Sequence, residues 1–444
     1  MHDAVTLRRL IRTRQISCVE VMNAHLDRIE ALNPKVNAIV ALQDRAQLIR
    51  QAQDCDARLT KDETIGALHG FPHAVKDMAP VRGIAFTQGS PIFRDLVATE
   101  DSLQTERLRR AGVIFIGKTN TPEFGLGSHT FNPVYGATRN AYDPTRSAGG
   151  SSGGAAVALA LGMVPLADGS DYGGSLRNPA GWNNVYGFRP SIGRVPSHGK
   201  DDWLPTMGTS GPMARTVADL ALLLSVQAGH DPRAPLSMEG SGDIFAGELG
   251  ANMKGKRIAW AGDFNGAIPY EAGVLDTCRT AFKAFETIGA HVEEQCPDYP
   301  LDKVWDAFVE LRSWQQGGGL AALAADPATR TLLKPEALYE IDQCRAFRLR
   351  HQRPIGDPDR MEPGGTEILR TLRLLDHADR PDLPLRDRAT MAGEHRRRGH
   401  AHLSRMDEGA LPGDDGRLSG AGRARRLRAG RAADGAADHR TDPP

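Results

Sequence analysis

The stretch from Ser147 to Arg177, SAGGSSGGAAVALALGMVPLADGSDYGGSLR, constrains this chain more than any other. It holds two glycine-wrapped serine turns, Gly149-Gly150-Ser151-Ser152-Gly153-Gly154 and Gly173-Gly174-Ser175, joined by a small-residue helix and a short apolar run. Glycines crowd a serine where the backbone must take conformations closed to other residues, or must approach another group closely. Two such turns can set hydroxyls side by side and aim bare backbone N–H groups at one point, the geometry of a nucleophile with an oxyanion hole. A glycine–serine cluster by itself is an ordinary flexible turn, so the chemistry needs a further partner.

That partner is offered upstream in Gly70-Phe71-Pro72-His73-Ala74-Val75-Lys76-Asp77, where Lys76 ends a short apolar run that reads as a strand entering the interior. Burial penalises an ammonium, so its pKa falls and the neutral amine becomes usable as a base. Serine needs such a base, because its free hydroxyl is a poor nucleophile. No histidine lies between Ser147 and Arg177, which leaves a Ser-His-Asp scheme without local support. The constellation is Ser-Ser-Lys.

On these residues the chain resembles the amidase signature hydrolases. The match runs through Gly70 to Asp77, Gly149 to Gly154 and Ser170 to Ala180, with 75 residues from Lys76 to Ser151 and 24 from Ser151 to Ser175. It continues through Gly187-Phe188-Arg189-Pro190 and Ser210 to Thr216, and covers roughly residues 1 to 343. The resemblance implies an α/β fold with a mixed, mainly parallel central sheet between helical layers. It implies that Ser175 attacks an amide carbonyl, that Ser151, following a cis peptide bond, relays the proton, and that Lys76 is the base. The N–H groups of Tyr172, Gly173, Gly174 and Ser175 would form the oxyanion hole, while Asp171 and Arg177 hold the turn in shape. Ser152 neighbours Ser151 and competes with it for the relay position; the 24-residue spacing favours Ser151. The expected activity is hydrolysis of a small carboxamide without a cofactor. The same triad also serves the ammonia-producing component of a tRNA-dependent amidotransferase, and an inactive truncated relative would share the motifs.

One competing motif is set aside. Gly112-Val113-Ile114-Phe115-Ile116-Gly117-Lys118-Thr119 satisfies the phosphate-loop pattern letter by letter. Its variable positions are Val, Ile, Phe and Ile, which read as a buried strand, and Asn120-Thr121-Pro122 breaks the chain where a helix should open. Neither the histidines nor Cys18, Cys55, Cys278, Cys296 and Cys344 show metal-ligand spacing, so no metal is expected.

The formal net charge is zero, which gives no global attraction to nucleic acid or membrane. Scattered cysteines fit a reducing cytoplasm, no apolar run approaches a membrane span, and a homodimer is left open. Ser17-Cys18-Val19-Glu20 reads as a capping box opening a helix, and Thr216 caps another from Val217 to Ala228. Strands are expected at Ile114–Ile116, around Ile258 and around His291, with one amphipathic helix from Glu271 to Ile288.

From Cys344 the chain changes character: 21 arginines to the end, but no lysine, valine, tyrosine or tryptophan. Residues 344–444 therefore read as an Arg/Gly/Ala/Asp-rich tail on an amidase domain of residues 1–343 that is incomplete at its C-terminal end. Three origins compete: a reading-frame change near Ala346, a disordered extension, and an arginine-rich nucleic-acid arm. Sixteen interspersed acidic residues and the lack of stacking aromatics count against the arm. A chain missing its last sheet strands would be prone to instability or inactivity.

Overall fold

The computed structural model describes residues 2–61, 63–199 and 206–351. They divide into two compact units, one of residues 2–251 and 300–351, the other of residues 252–299.

The larger unit opens with α1 (Ala4–Arg12) and α2 (Cys18–Val36). The capping box is formed as expected: Ser17 Oγ accepts the Glu20 N–H at 3.0 Å, and Glu20 Oε2 accepts the Ser17 N–H at 2.8 Å. Cys18, Val21, Met22, Leu26 and Ile29 of α2 recur at helical spacing and are buried, sharing a core with Leu48 and Ala52 of α3 (Arg45–Thr60).

Two small sheets position the site. In the first, β1 (Ile39–Val40) pairs antiparallel with β3 (Ile114–Thr119), which pairs parallel with β2 (Pro72–Lys76), placing Lys76 opposite Thr119. All six residues of β3 are buried, which confirms the strand reading of the phosphate-loop look-alike. α4 (Leu103–Arg110) leads into β3. A hairpin of β4 (Phe131–Asn132) and β5 (Gly136–Ala137) precedes α5 (Gly153–Ala160). In the second sheet, β6 (Ala167–Asp171) and β7 (Tyr186–Gly187) both pair antiparallel with β8 (Thr209–Ala214), while α6 (Arg177–Trp182) links β6 to β7. Where the resemblance implied one mixed, mainly parallel sheet, the described pairings around the site give two: the first mixes parallel and antiparallel pairs and the second is wholly antiparallel. α7 (Val217–Gln227) follows, capped by Thr216 Oγ on the Asp219 N–H at 3.1 Å.

α5 is the packing centre. Its residues from Gly153 to Leu159 are all buried, and a Cβ on Gly154 would fall 2.4 Å from the Asn120 nitrogen and 2.6 Å from the Ala38 carbonyl oxygen. Only glycine lets the helix approach the strand ends so closely. Gly154→Ala is expected to cost about 1–3 kcal/mol through overpacking, read as a lowered melting temperature; an unchanged one would show that α5 can move away.

In the smaller unit, β9 (Arg257–Trp260) and β10 (His291–Glu294) pair in parallel, with Ile258 opposite Val292. The single helix expected from Glu271 to Ile288 is instead two, α8 (Val274–Arg279) and α9 (Phe282–Thr287). At the break the Thr280 hydroxyl donates back to the Thr277 carbonyl at 2.6 Å, a side-chain bond that competes with helical pairing.

Residues 300–351 return to the larger unit as α10 (Leu301–Arg312), a π-turn (Ser313–Gly317), α11 (Gly318–Leu320), α12 (Pro327–Arg330) and α13 (Pro335–His351). Ala337 and Ile341 of α13 share a core with Phe124 and Leu126 in the loop after β3. The tail expected from residue 344 falls, from 352 onward, outside the described residues. No described helix is long and apolar enough to cross a membrane.

Candidate active site

Lys76 is the last residue of β2, a strand buried at every position. Its Nζ lies 2.7 Å from Ser151 Oγ, 2.9 Å from Ser152 Oγ and 3.0 Å from Ser170 Oγ. Burial pushes the Lys76 ammonium down to about 7, against the opposing pull of the Asp168 and Asp171 carboxylates. Beneath it, Asp168 Oδ1 meets His73 Nε2 at 2.9 Å, and Asp168 Oδ2 accepts the Lys76 N–H at 3.3 Å. These bonds tie β2 to β6 and fix where the lysine leaves the strand.

Ser151 follows the cis peptide bond Gly150–Ser151, as the resemblance implied. Both serines of this turn touch Lys76, but their other contacts differ. Ser152 Oγ also bonds the Ser170 backbone, at 3.4 Å to its carbonyl oxygen and 3.4 Å from its N–H. The Ser152 N–H donates to the Ser175 carbonyl at 3.2 Å, binding one serine turn to the other. Ser175 is half-buried beside the exposed Gly173. The structure thus brings Lys76, Ser151, Ser152 and Ser170 together directly, and joins Ser175 to them through the backbone. Among the described residues no hydrogen bond is formed between the Ser151 and Ser175 hydroxyls.

Asp171 organises the turn that carries Ser175. Its Oδ1 accepts the Gly174 N–H at 2.8 Å and Arg189 Nη1 at 3.1 Å, while Oδ2 accepts the Leu176 N–H at 3.1 Å. Arg177 adds a two-point bond, Nε to Oδ2 at 3.0 Å and Nη2 to Oδ1 at 3.1 Å. Burial alone would raise the Asp171 carboxyl, but Arg177 and the turn's N–H groups outweigh it and hold the carboxyl at about 2. The expected role of Asp171 and Arg177 in shaping the turn has this geometry behind it.

One expectation is corrected here. The Gly174 N–H, counted among four oxyanion donors, is taken up by Asp171 inside the turn. Gly174 sits at φ +126°, and a Cβ there would meet the Asn178 side chain at 2.7 Å, so its glycine serves the turn's path. Tyr172, half-buried, donates its hydroxyl to Gln315 Oε1 at 2.6 Å.

Sequence reasoning missed three participants. Ser170 and Arg189 lie inside the matching motifs but carry no role in that reading. Gln315 carries no local signal, since it meets Tyr172 across 143 positions. Among the described residues no group of three His, Cys, Asp or Glu side chains could hold a metal ion.

Among the described residues, one buried lysine amine thus lies against three serine hydroxyls, and a fourth serine, on a glycine turn, is tied to them through the backbone. The Amidase family model matches residues 20–341, and the chain belongs to the amidase signature family. It is 38% identical over 308 residues to an acylamidase of Rhodococcus erythropolis, covering 69% of this chain and 64% of that protein. It is 39% identical over 298 residues to a glutamyl-tRNA(Gln) amidotransferase component from Acidothermus cellulolyticus, covering 67% and 59%. The chain therefore spans about three fifths of the length of these relatives. Among solved structures, a bacterial aryl acylamidase of the same family superposes with a TM-score of 0.72 at 29% identity, covering 84% of this chain and 77% of the other. The peptide amidase of Stenotrophomonas maltophilia gives a TM-score of 0.66 at 25% identity, covering 84% and 79%.

Proposed function

We propose that this chain is an amidase that cleaves the C–N bond of a small carboxamide through an acyl-enzyme on Ser175. The observation that carries the reading is the Lys76 amine, buried and 2.7 Å from Ser151 Oγ. Ser175 Oγ attacks the carbonyl carbon and gives its proton to Ser151 Oγ, whose own proton passes to the neutral Lys76 amine. Collapse of the tetrahedral intermediate breaks the C–N bond, and the departing amine takes the proton back along the same path. Water then repeats the attack on the ester and releases the carboxylic acid. Ser151 suits the relay better than Ser152, whose hydroxyl is committed to the Ser170 backbone. The developing oxyanion falls to the N–H groups of Tyr172, Gly173 and Ser175, each such donor being worth about 2.7–4 kcal/mol of barrier.

Because the base must be neutral, kcat/KM is expected to rise with pH, about tenfold per unit below pH 7, and to level off above an apparent pKa of about 7. A profile flat from pH 5 to 9 would remove Lys76 from the reaction. A second reading draws on the amidotransferase relatives: the same centre would release ammonia from an amide for a partner chain. Co-purification with a second protein that stimulates amide hydrolysis would favour that reading over a free-standing enzyme.

A further inference from the structure

α10 carries Trp305 and Phe308 three residues apart, so both rings leave one face of the helix. Phe308 reaches the nucleophile turn: a Cβ on Gly173 would lie 2.9 Å from its Cζ. The Tyr172 ring stands 6.1 Å from Phe308 at 59°, and the Trp305 ring stands 5.6 Å beyond at 30°. The hydrogen bond from Tyr172 to Gln315 fixes the first ring of this file. Trp305 and Phe308 are half-buried, like Ser175, so the file starts at the turn and is not sealed into the core. A carbonyl seated on Ser175 and the Gly173 N–H therefore has one of its two arms beside these rings. An aromatic arm gains stacking or edge contacts there that an aliphatic arm of equal area does not.

We infer that Phe308 and Trp305 form a subsite selecting amides that bear an aromatic ring on one side of the scissile bond, with Phe308 the specificity-determining residue. This rests on the reading of Ser175 as nucleophile. The test is inactivation by phenylmethanesulfonyl fluoride and by methanesulfonyl fluoride, taken as the ratio of their second-order rate constants. In Phe308→Ala the ratio is expected to fall about tenfold from that of the unaltered chain. It is expected to stay low in Phe308→Leu, which restores apolar bulk and folding but not the ring. An unchanged ratio in both variants overturns the subsite even if both reagents slow together. The absence of any adduct at Ser175 in the folded unaltered chain overturns the nucleophile reading instead, and the subsite with it. Benzamide and acetanilide, each compared with acetamide, tell whether the ring belongs to the acyl or the amine side. Faster turnover of either supports the subsite, and no preference for either contradicts it.

Discussion

Replacing Lys76 with methionine is expected to slow fluorophosphonate labelling and amide turnover by about 10⁴-fold, the upper end for general acid–base catalysis. The large value follows from one amine serving both halves of the reaction. Stability should move little. In the folded chain the Lys76 ammonium titrates near 7, while in the unfolded chain it keeps its ordinary value above 10. Between those values the unfolded chain holds a proton that the folded chain lacks. Stability therefore rises with pH from about 7 to about 10.4, and at pH 7 and below the buried cation weighs against the fold. Methionine removes that penalty but leaves the Ser151, Ser152 and Ser170 hydroxyls without the amine, at a net cost of about 1 kcal/mol each. The opposing effects leave the melting temperature at pH 7 within about 3 °C of the parent. A variant that melts normally yet labels at the parental rate would show that Lys76 is a structural cation.

Asp171→Ala should behave in the opposite way, with stability lost together with activity. The carboxylate is fully buried and accepts bonds from the Gly174 and Leu176 N–H groups, from Arg177 and from Arg189. Removing it strands these donors and leaves Arg189 only a quarter exposed beside an empty site. Breaking a buried pair costs about 3–5 kcal/mol. Because Arg177 is half exposed and screened, the lower end, about 3 kcal/mol, is expected here. Thermal melting at pH 7 would show it as a fall of about 6 °C or more. The pH dependence carries the same signature. The folded-state carboxyl, at about 2, lies below its unfolded value near 3.9, so its stabilisation is complete above that value and is lost as pH falls from about 4 to 2. The parent and the alanine variant should therefore converge in stability in that window. A variant as stable as the parent at pH 7 would mean that the turn keeps its shape without Asp171.

What the sequence disclosed was local. The Ser17 and Thr216 caps rest on bonds three residues long, and both are readable before any fold is known. Lys76 is legible because an apolar run ending in lysine can leave that amine only in the interior or at its edge. The two serine turns, each an ordinary glycine turn by itself, are legible because they stand in register with Lys76, 75 and 24 residues apart along the chain. The unread features depend on tertiary contact or on competition between near neighbours. Ser170 turns towards Lys76 because β6 lies against β2, 94 positions away in sequence. Gln315 reaches Tyr172 from a π-turn that no periodicity announces. The Gly174 N–H looks free for an oxyanion because its spacing is right, but Asp171, three residues earlier, claims it first. The helix expected over Glu271–Ile288 has the right apolar pattern, yet at its break the Thr280 hydroxyl donates to the Thr277 carbonyl.

The central claim, that Ser175 is the nucleophile and Lys76 its base through Ser151, is tested most directly by mass spectrometry of the fluorophosphonate-treated chain. The expected result is a single adduct on the peptide carrying Ser175, formed about 10⁴-fold more slowly in Lys76→Met and strongly slowed in Ser151→Ala. An adduct on Ser151 or Ser152 instead, or labelling of Ser175 that is indifferent to both substitutions in folded protein, would contradict the account.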